Sequence, residues 1–521
     1  MNFVDMNNND IYDIGEFFTL IDNNAIVQEF RSEEFWDDDN SGFWTEGEGY
    51  VDANNNGVFD VGTDLGDYLP PGKTQFSACV GCTAGQFTFD QPVDPTEGAY
   101  GHGFIDLHAH GQTNDAHKYQ ARDGVTTALE MEGGVAFYRE WIESKKGNSI
   151  VNYGGTAPHG FLRATAMDSN LKIAKKMANK VKKDGYKEDG LLGKLFDESL
   201  ASARYKLMSQ KEIDRSHDMM DIYLNAGALG IGVPVGYYPG ATAGEIFQVY
   251  EFAKSKDVPV YTHTRGFGLP GLQEAMADAT TSGASVHLVH ANSMSLGEIE
   301  TTLSMVSSAQ KLGLDITTEV YPYTAASTSI ESTIFDEGWK ETLNISYKDL
   351  QWEATGERLN SKTFYEYRKK GGIIIIHMMK PEWITQGVSH PVTIIASDGM
   401  PFAPGAHPRT AGTFSRILGK YVRKERAIDL MTALKKMTIM PAKRLEMTSP
   451  MMRNKGRLQV GADADITVFN PRTVIDKADF KGLQYSEGIE FVLVNGTFVV
   501  KDGKIVEDTF PGRPILGKYR Q

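Results

Sequence analysis

Cysteine is nearly absent from this chain: two residues in 521, Cys79 and Cys82 in the run CVGC. A scaffold built on several disulfides is therefore excluded, and the pair reads as a strained local disulfide, half a metal site or two free thiols. Long apolar runs are also missing. No stretch reaches the roughly 18 apolar residues that would span a bilayer, and the start MNFVDMNNND lacks the basic and apolar regions of a signal peptide. The expectation is a cytoplasmic chain without a membrane partner, or an exported one if this N-terminus is incomplete. Basic charge is scarce where acid is densest. Residues 1–100 carry 20 Asp and Glu against 2 Lys and Arg, so the net charge of −15 originates there and the remainder stands at +3. Neither part presents a basic face, which argues against a nucleic-acid partner.

What is present is a large apolar complement, 41% of the residues. That suffices for one large core and a second, smaller domain, since single cores stop growing at roughly 250–300 residues. The acidic tract at residues 1–97 repeats weakly: DMNNNDIYDIGE from Asp5, DDDNSGFWTEGE from Asp37 and DANNNGVFDVGT from Asp52. In the second copy Asp37, Asp39, Ser41 and Glu48 fall at positions 1, 3, 5 and 12 of a calcium loop, with Gly42 at position 6. The third offers Asp52, Asn54, Asn56 and Asp60 at positions 1, 3, 5 and 9. Such oxygen donors suit Ca2+. The two loops start 15 residues apart, too close for the flanking helices of paired EF-hands. A disordered acidic linker is the other reading of the same composition.

From residue 101 the pattern changes. Short β-branched runs (GFIDLHAH, VTTALEME, IVNYGGTA, GALGIGVPV, VPVYTHT, SVHLVHANS, DITTEVYPY, GIIIIHMM, VTIIASDG) alternate with stretches of helical spacing such as TAGEIFQVYEFAKSK. Parallel strands with crossover helices follow, and the length fits an α/β fold of the (β/α)8 barrel type over 98–447. There are nine candidates for eight places, so one run is an edge strand or an insertion. Beyond it, ADADITVF and EGIEFVLVNGTFVVKDGKIVE, with tight turns at Asn495-Gly496 and Asp502-Gly503, predict part of a small β-sandwich over 448–521.

Polar residues gather at the C-terminal ends of these runs: His108 and His110, Glu130 and Glu132, His263, His290, Tyr321 and Tyr323, His377 and Asp398. In a barrel that end carries the active site. His108 and His110 leave one face of one strand and can grip a single cation. Imidazoles and carboxylates without thiolates predict a zinc-like centre of one or two divalent metals. A lone strand-end histidine such as His377 is more often structural. Glu130 and Glu132 also share a face by alternation, and two carboxylates there require a counter-charge.

The motifs GFIDLHAHG, DGVTTALEMEGG, GALGIGVPVGYYPG, YTHTRG, HLVHANS, TEVYPYTA, ASDGMPFAPGAHPR, MTALKKMTIMPAKRLEM and KGRLQVGADADITVFNP resemble the amidohydrolase superfamily, and within it the D-aminoacylase (N-acyl-D-amino-acid deacylase) family. The resemblance runs from about residue 98 to the C-terminus. It implies His108, His110, His263 and His290 as metal ligands and Asp398 as the carboxylate that both ligates and transfers protons. It implies Arg409 and Tyr323 as holders of a substrate α-carboxylate, a task suited to a planar guanidinium. The implied reaction is cleavage of the amide bond of an N-acyl-D-amino acid or a related N-acyl amino acid by metal-bound hydroxide, with His159 and His377 near the oxyanion.

The sequence departs from the family in several places. Gly133 stands where the family often has a cysteine ligand, so Glu132 is the expected replacement, with Glu130 in reserve or as a partner to a ligating histidine. Asn292 stands where some members carry a lysine for acidic substrates, which favours neutral side chains. His102 replaces the usual proline before GFID, and the acidic tract occupies the place of the sandwich's other half. A cyclic amidase of the dihydroorotase or hydantoinase type is an alternative, disfavoured because neither TTALEME nor IVNYGGTA offers a lysine for carbamylation. A calcium-dependent surface or binding protein with an inactive barrel is another. Oligomeric state is not legible.

Overall fold

Eight parallel strands close into a barrel in chain order. In the computed structural model, Phe104–Asp106 pairs with Val125–Glu130, and that strand with Asn152–Gly155. The third strand continues into Ala157–Pro158, which pairs with Ile231–Pro234; Val260–His263, Val286–Leu288, Ile316–Val320 and Thr393–Ile395 follow in turn. The ring closes where Ala109 bridges Gly399 and the Ser397 N–H donates to Asp106 Oδ1 at 2.9 Å. Residues 101–187 and 191–520 are described in full; before them the structure describes only the backbone of six strands, the last of them Ala99–His102. The calcium-loop positions Asp37, Asp39, Ser41, Glu48, Asp52, Asn54, Asn56 and Asp60 lie outside the described residues.

The surplus candidate is an insertion. Ile373–His377 runs antiparallel to both Ala325–Ser329 and Leu350–Trp352, in a three-stranded sheet between the seventh and eighth barrel strands. Its unbroken isoleucine run carries no period that would distinguish it from a barrel strand, because both are apolar throughout when buried.

Local chemistry sets the joints. The helix Asn114–Arg122 starts at Thr113, whose hydroxyl accepts from the Ala116 N–H at 3.3 Å, supplying one of the partners that a helix N-terminus lacks. It stops before Gly124, which has φ +88° and where a Cβ would fall 2.6 Å from the Phe104 ring. A side chain there would force apart the first two strands. Phe104 stacks on Phe414 at 5.5 Å and is fully buried. Burial of such a ring stabilises by about 1.5–3 kcal/mol.

The C-terminal strands Ile466–Phe469, Ile489–Val494, Thr497–Lys501 and Lys504–Ile505 form an antiparallel sheet whose fifth member is Ala99–His102, taken from before the barrel. The two expected tight turns are present: Asn495, Gly496, Asp502 and Gly503 all have positive φ, as type I′ hairpins require. Asp465 joins this sheet to the barrel, accepting from Lys455 Nζ at 2.6 Å, Asn152 Nδ2 at 2.9 Å and the Asn495 N–H at 2.8 Å. Among the described residues no helix is long and apolar enough to cross a membrane.

Candidate metal centre

The loop after the second strand brings one carboxylate to four imidazoles. Glu132 Oε2 lies 3.2 Å from His108 Nε2 and 3.3 Å from His110 Nε2; its Oε1 lies 2.6 Å from His263 Nδ1 and 3.3 Å from His290 Nε2. Asp398 closes the cluster, with Oδ1 3.5 Å from His108 Nε2 and 3.4 Å from His110 Nε2. Three overlapping groups result: His108, His110 and Glu132; His108, His290 and Asp398; Glu132, His263 and His290, each with its donor atoms within 4.8 Å of one another. Five of the six side chains come from residues in the buried class, and His110 is partly exposed.

The chain holds these groups under backbone constraint. His290 has φ +32° and Asp398 φ +51°, left-handed conformations that cost a non-glycine residue of order 1–3 kcal/mol and concentrate at functional sites. Glu132 is held by close approach: a Cβ on Gly232 of the fourth strand would come within 2.2 Å of the Glu132 carbonyl oxygen. The Thr156 hydroxyl fastens the same loop by donating to the Met131 carbonyl at 2.9 Å.

The electrostatics of the cluster suit a cation. Burial alone would raise the Glu132 carboxyl, yet hydrogen bonds from His108, His110 and His263 hold it well below the usual carboxylate range. Burial disfavours charge on His108, but Asp398, Glu319 and Glu132 outweigh it and lift the imidazole well above its ordinary value. His110 is lifted likewise, by Glu130, Asp398 and Glu132 against burial. A divalent cation would need the imidazole nitrogens deprotonated, so its binding would release protons from this cluster. Nδ1 of His290, buried, has no hydrogen-bond partner. Imidazole nitrogen with carboxylate oxygen is a zinc-type donor set.

Glu130 is adjacent but different. Its Oε2 lies 2.7 Å from His110 Nδ1, and its Oε1 accepts from the Gly133 N–H at 3.1 Å. It therefore orients a candidate ligand from behind. Arg409, 1% exposed, sets NH1 2.8 Å from Asp398 Oδ2 and its guanidinium 4.7 Å from the centre of the Tyr321 ring. Its Nε has no hydrogen-bond partner.

The structure gives three expected residues other partners. The Tyr323 hydroxyl lies 3.5 Å from Asp476 Oδ2 and its ring under Arg416; Tyr321, not Tyr323, packs on Arg409. His159 is fully buried with Nδ1 2.9 Å from the Tyr238 hydroxyl. Burial and then Arg163 push its pKa down to about 3, which favours the neutral imidazole. His377 belongs to the inserted sheet, where Nε2 lies 3.1 Å from Gln351 Oε1. Sequence reasoning missed Glu319, 2.5 Å from His108 Nδ1, and Tyr237, whose ring centre is 4.7 Å from that of His263. The signal for Glu319 was a carboxylate in the middle of a strand run, ITTEV.

Comparison with known proteins places the fold. The profile described as "Amidohydrolase family" matches residues 103–499. The chain belongs to the amidohydrolase family. Among its relatives, N-acyl-D-glutamate deacylase of Alcaligenes xylosoxydans xylosoxydans is 30% identical over 309 residues, 56% of this chain and 62% of that protein. D-aminoacylase of the same organism is 31% identical over 307 residues, 55% of this chain and 61% of that protein. The matched region thus spans about three fifths of these curated relatives. The solved structure of N-acyl-D-glutamate deacylase from Bordetella bronchiseptica, complexed with zinc and a phosphonate inhibitor, superposes with a TM-score of 0.66 at 23% identity, covering 81% of this chain and 89% of that one. A dihydropyrimidinase from Brevibacillus agri, at 15% identity, gives 0.51, with 83% and 91% covered. The structural likenesses concern the fold: this amidohydrolase has the barrel of that group.

Proposed function

We propose that this amidohydrolase removes the acyl group from N-acyl-D-amino acids or closely related N-acyl amino acids, using zinc or a similar divalent metal. Glu132, His263 and His290 would hold one ion; His108, His110 and Asp398, sharing Glu132, would hold a second. A bound divalent ion lowers the pKa of water from about 15.7 to roughly 7 and polarises a carbonyl oxygen. The chain's own residues do the rest. Asp398 accepts the proton of the attacking water as its oxygen bonds to the acyl carbon, and returns that proton to the amine nitrogen as the C–N bond breaks. The products are a carboxylate and a free amino acid.

The observation that carries the reading is the Arg409–Asp398 contact at 2.8 Å, which sets a carboxylate-recognising guanidinium beside the proton carrier. Arg409 still has an unpaired Nε in a buried setting, and a substrate α-carboxylate satisfies it. Asn292 supports neutral side chains, since it is fully buried and donates to the Tyr321 carbonyl at 3.1 Å, with no cation at that position.

The test is metal analysis joined to a substrate screen of N-acetyl-D-methionine, N-acetyl-D-glutamate, their L enantiomers and a hydantoin. Hydrolysis of the D-methionine derivative ahead of the glutamate one, abolished by a chelator and restored by Zn2+, is expected. Ring opening of the hydantoin with no release of amino acid from any N-acetyl compound would overturn the reading.

A further inference from the structure

Glu319 of the seventh strand is the only described carboxylate that contacts His108 from behind, and its reach does not end there. Its Oε1 lies 2.5 Å from His108 Nδ1 and 3.4 Å from the backbone nitrogen of His290; its Oε2 lies 3.0 Å from His287 Nε2. His287 is in turn fixed through Nδ1, 2.8 Å from the Thr317 hydroxyl. Glu319 and His287 are 1% and 0% exposed, so solvent competes for neither.

The arrangement couples two candidate ligands that stand on different strands. His108 belongs to the two groups that contain Asp398 or His110, and His290 belongs to the two that contain Asp398 or His263. A single carboxylate thus touches the side chain of one and the strained backbone of the other. Accepting from Nδ1–H fixes the His108 tautomer and leaves the Nε2 lone pair for a cation. Accepting from the His290 N–H steadies a peptide at φ +32°. His287 limits the rotation of Glu319 by occupying its second oxygen.

We propose that Glu319 is a positioning residue of the metal centre, aligning His108 and His290 together, and that His287 acts through Glu319. The inference rests on the metal-centre reading but not on the identity of the substrate. Partners outside the ligand sphere typically change metal affinity by about 10–100-fold. Glu319→Gln keeps the shape and one acceptor but loses the charge; His287→Phe keeps the volume but frees the second oxygen.

The test uses the full chain, stripped with a chelator and titrated with Zn2+ against a chromophoric competitor, with the visible spectrum of the Co2+ form as a second readout. Glu319→Gln is expected to bind at least about tenfold more weakly, with an altered Co2+ spectrum and an unchanged circular dichroism spectrum. His287→Phe should weaken binding severalfold, and the double variant no further than Glu319→Gln alone. Parent-like affinity and spectrum in a folded Glu319→Gln chain would overturn the role; if that variant does not fold, parent-like binding by His287→Phe does so. A parent chain that takes up no metal overturns the centre as well, which separates the two failures.

Discussion

Arg409 NH1 stands 2.8 Å from Asp398 Oδ2, while the other oxygen of the same carboxylate faces His108 and His110 at 3.5 and 3.4 Å. One buried carboxylate therefore divides itself between a guanidinium and the imidazole cluster. Burial would raise its pKa, and Arg409 followed by His108 brings it below the usual value, which favours the ionised carboxylate. Asp398→Asn removes the base and leaves Arg409 buried without its counter-ion. Loss of general acid–base catalysis lowers turnover by about 10²–10⁴-fold, and breaking a buried ion pair costs about 3–5 kcal/mol. Turnover and thermal midpoint measured on one preparation should both fall. Parent-like turnover in the folded variant would remove Asp398 from proton transfer.

Arg409→Lys keeps the positive charge but not the planar fork that pairs with a carboxylate through two N–H groups. KM for an N-acyl amino acid should rise by about tenfold or more, with a smaller change in kcat, consistent with loss of one charged hydrogen bond worth about 1.5–3 kcal/mol. An N-acyl amine lacking the carboxylate should not distinguish parent from variant. Steady-state kinetics on both substrates decides it; an equal KM change on both would show that Arg409 does not read the carboxylate.

Glu130 at the end of the second strand and Glu132 in the loop after it make contrasting predictions. Glu132 contacts all four candidate imidazole ligands, whereas Glu130 contacts only His110 among them. Glu132→Ala should abolish tight metal uptake, and Glu130→Ala should weaken it by about 10–100-fold. Metal content after dialysis against buffer of low free Zn2+ is the measurement. Equal content in both variants and the parent would leave Glu132 without a ligand role.

The barrel and most of this site were legible because their signals are local. A strand run ending in His, Glu or Asp states both its element and its position at the mouth, and His108, His110, Glu132, His263, His290 and Asp398, expected on that ground or through the family likeness, are side chains that the fold brings together. What was not legible depends on who faces whom across the fold. Tyr321 and Tyr323 are alternate residues in one short run, and only the packed structure shows that Tyr321 lies against Arg409 while Tyr323 meets Asp476 and Arg416. Ile373–His377 reads as a barrel strand because both of its antiparallel partners precede it, the nearer by 20 residues of intervening chain. His159 follows a strand end as the ligands do, yet Tyr238 from the next strand's loop claims it.

Lys436 yields a prediction about pH. Its ammonium is fully buried, donating to the Val388 carbonyl at 3.0 Å, the Thr393 hydroxyl at 2.7 Å and the His390 carbonyl. Burial first, and Lys435 second, bring its pKa down from 10.5 to about 7. Between those values the unfolded chain binds more protons than the folded one, so this group makes stability rise with pH over that window and contributes no slope below it. Urea unfolding followed from pH 7.5 to 9.5 should show a rising contribution that Lys436→Met removes, at a lower overall stability because the carbonyls lose their donor. Identical slopes in parent and variant would mean that Lys436 stays charged in the fold.

Gly232 tests whether the metal centre depends on backbone approach as well as on side chains. Its strand passes so near the loop after the second strand that an added Cβ would lie 2.2 Å from the Glu132 carbonyl, 2.6 Å from the Thr156 hydroxyl and 2.9 Å from the Met131 carbonyl. Two of these three atoms are backbone, and the loop cannot yield without moving Glu132. Its carboxylate bridges contacts of 2.6–3.3 Å, so a shift of even half an ångström breaks the match to the four imidazoles. Gly232→Ala should therefore lower metal affinity by at least about tenfold, the scale seen when ligand orientation is disturbed, in a protein destabilised by about 1–3 kcal/mol of overpacking. Gly244 serves as the control, because the one atom near its added Cβ is the Thr242 hydroxyl at 3.9 Å. If Gly232→Ala and Gly244→Ala both retain parent affinity, the position of Glu132 is set by its side-chain contacts and not by the strand beneath it.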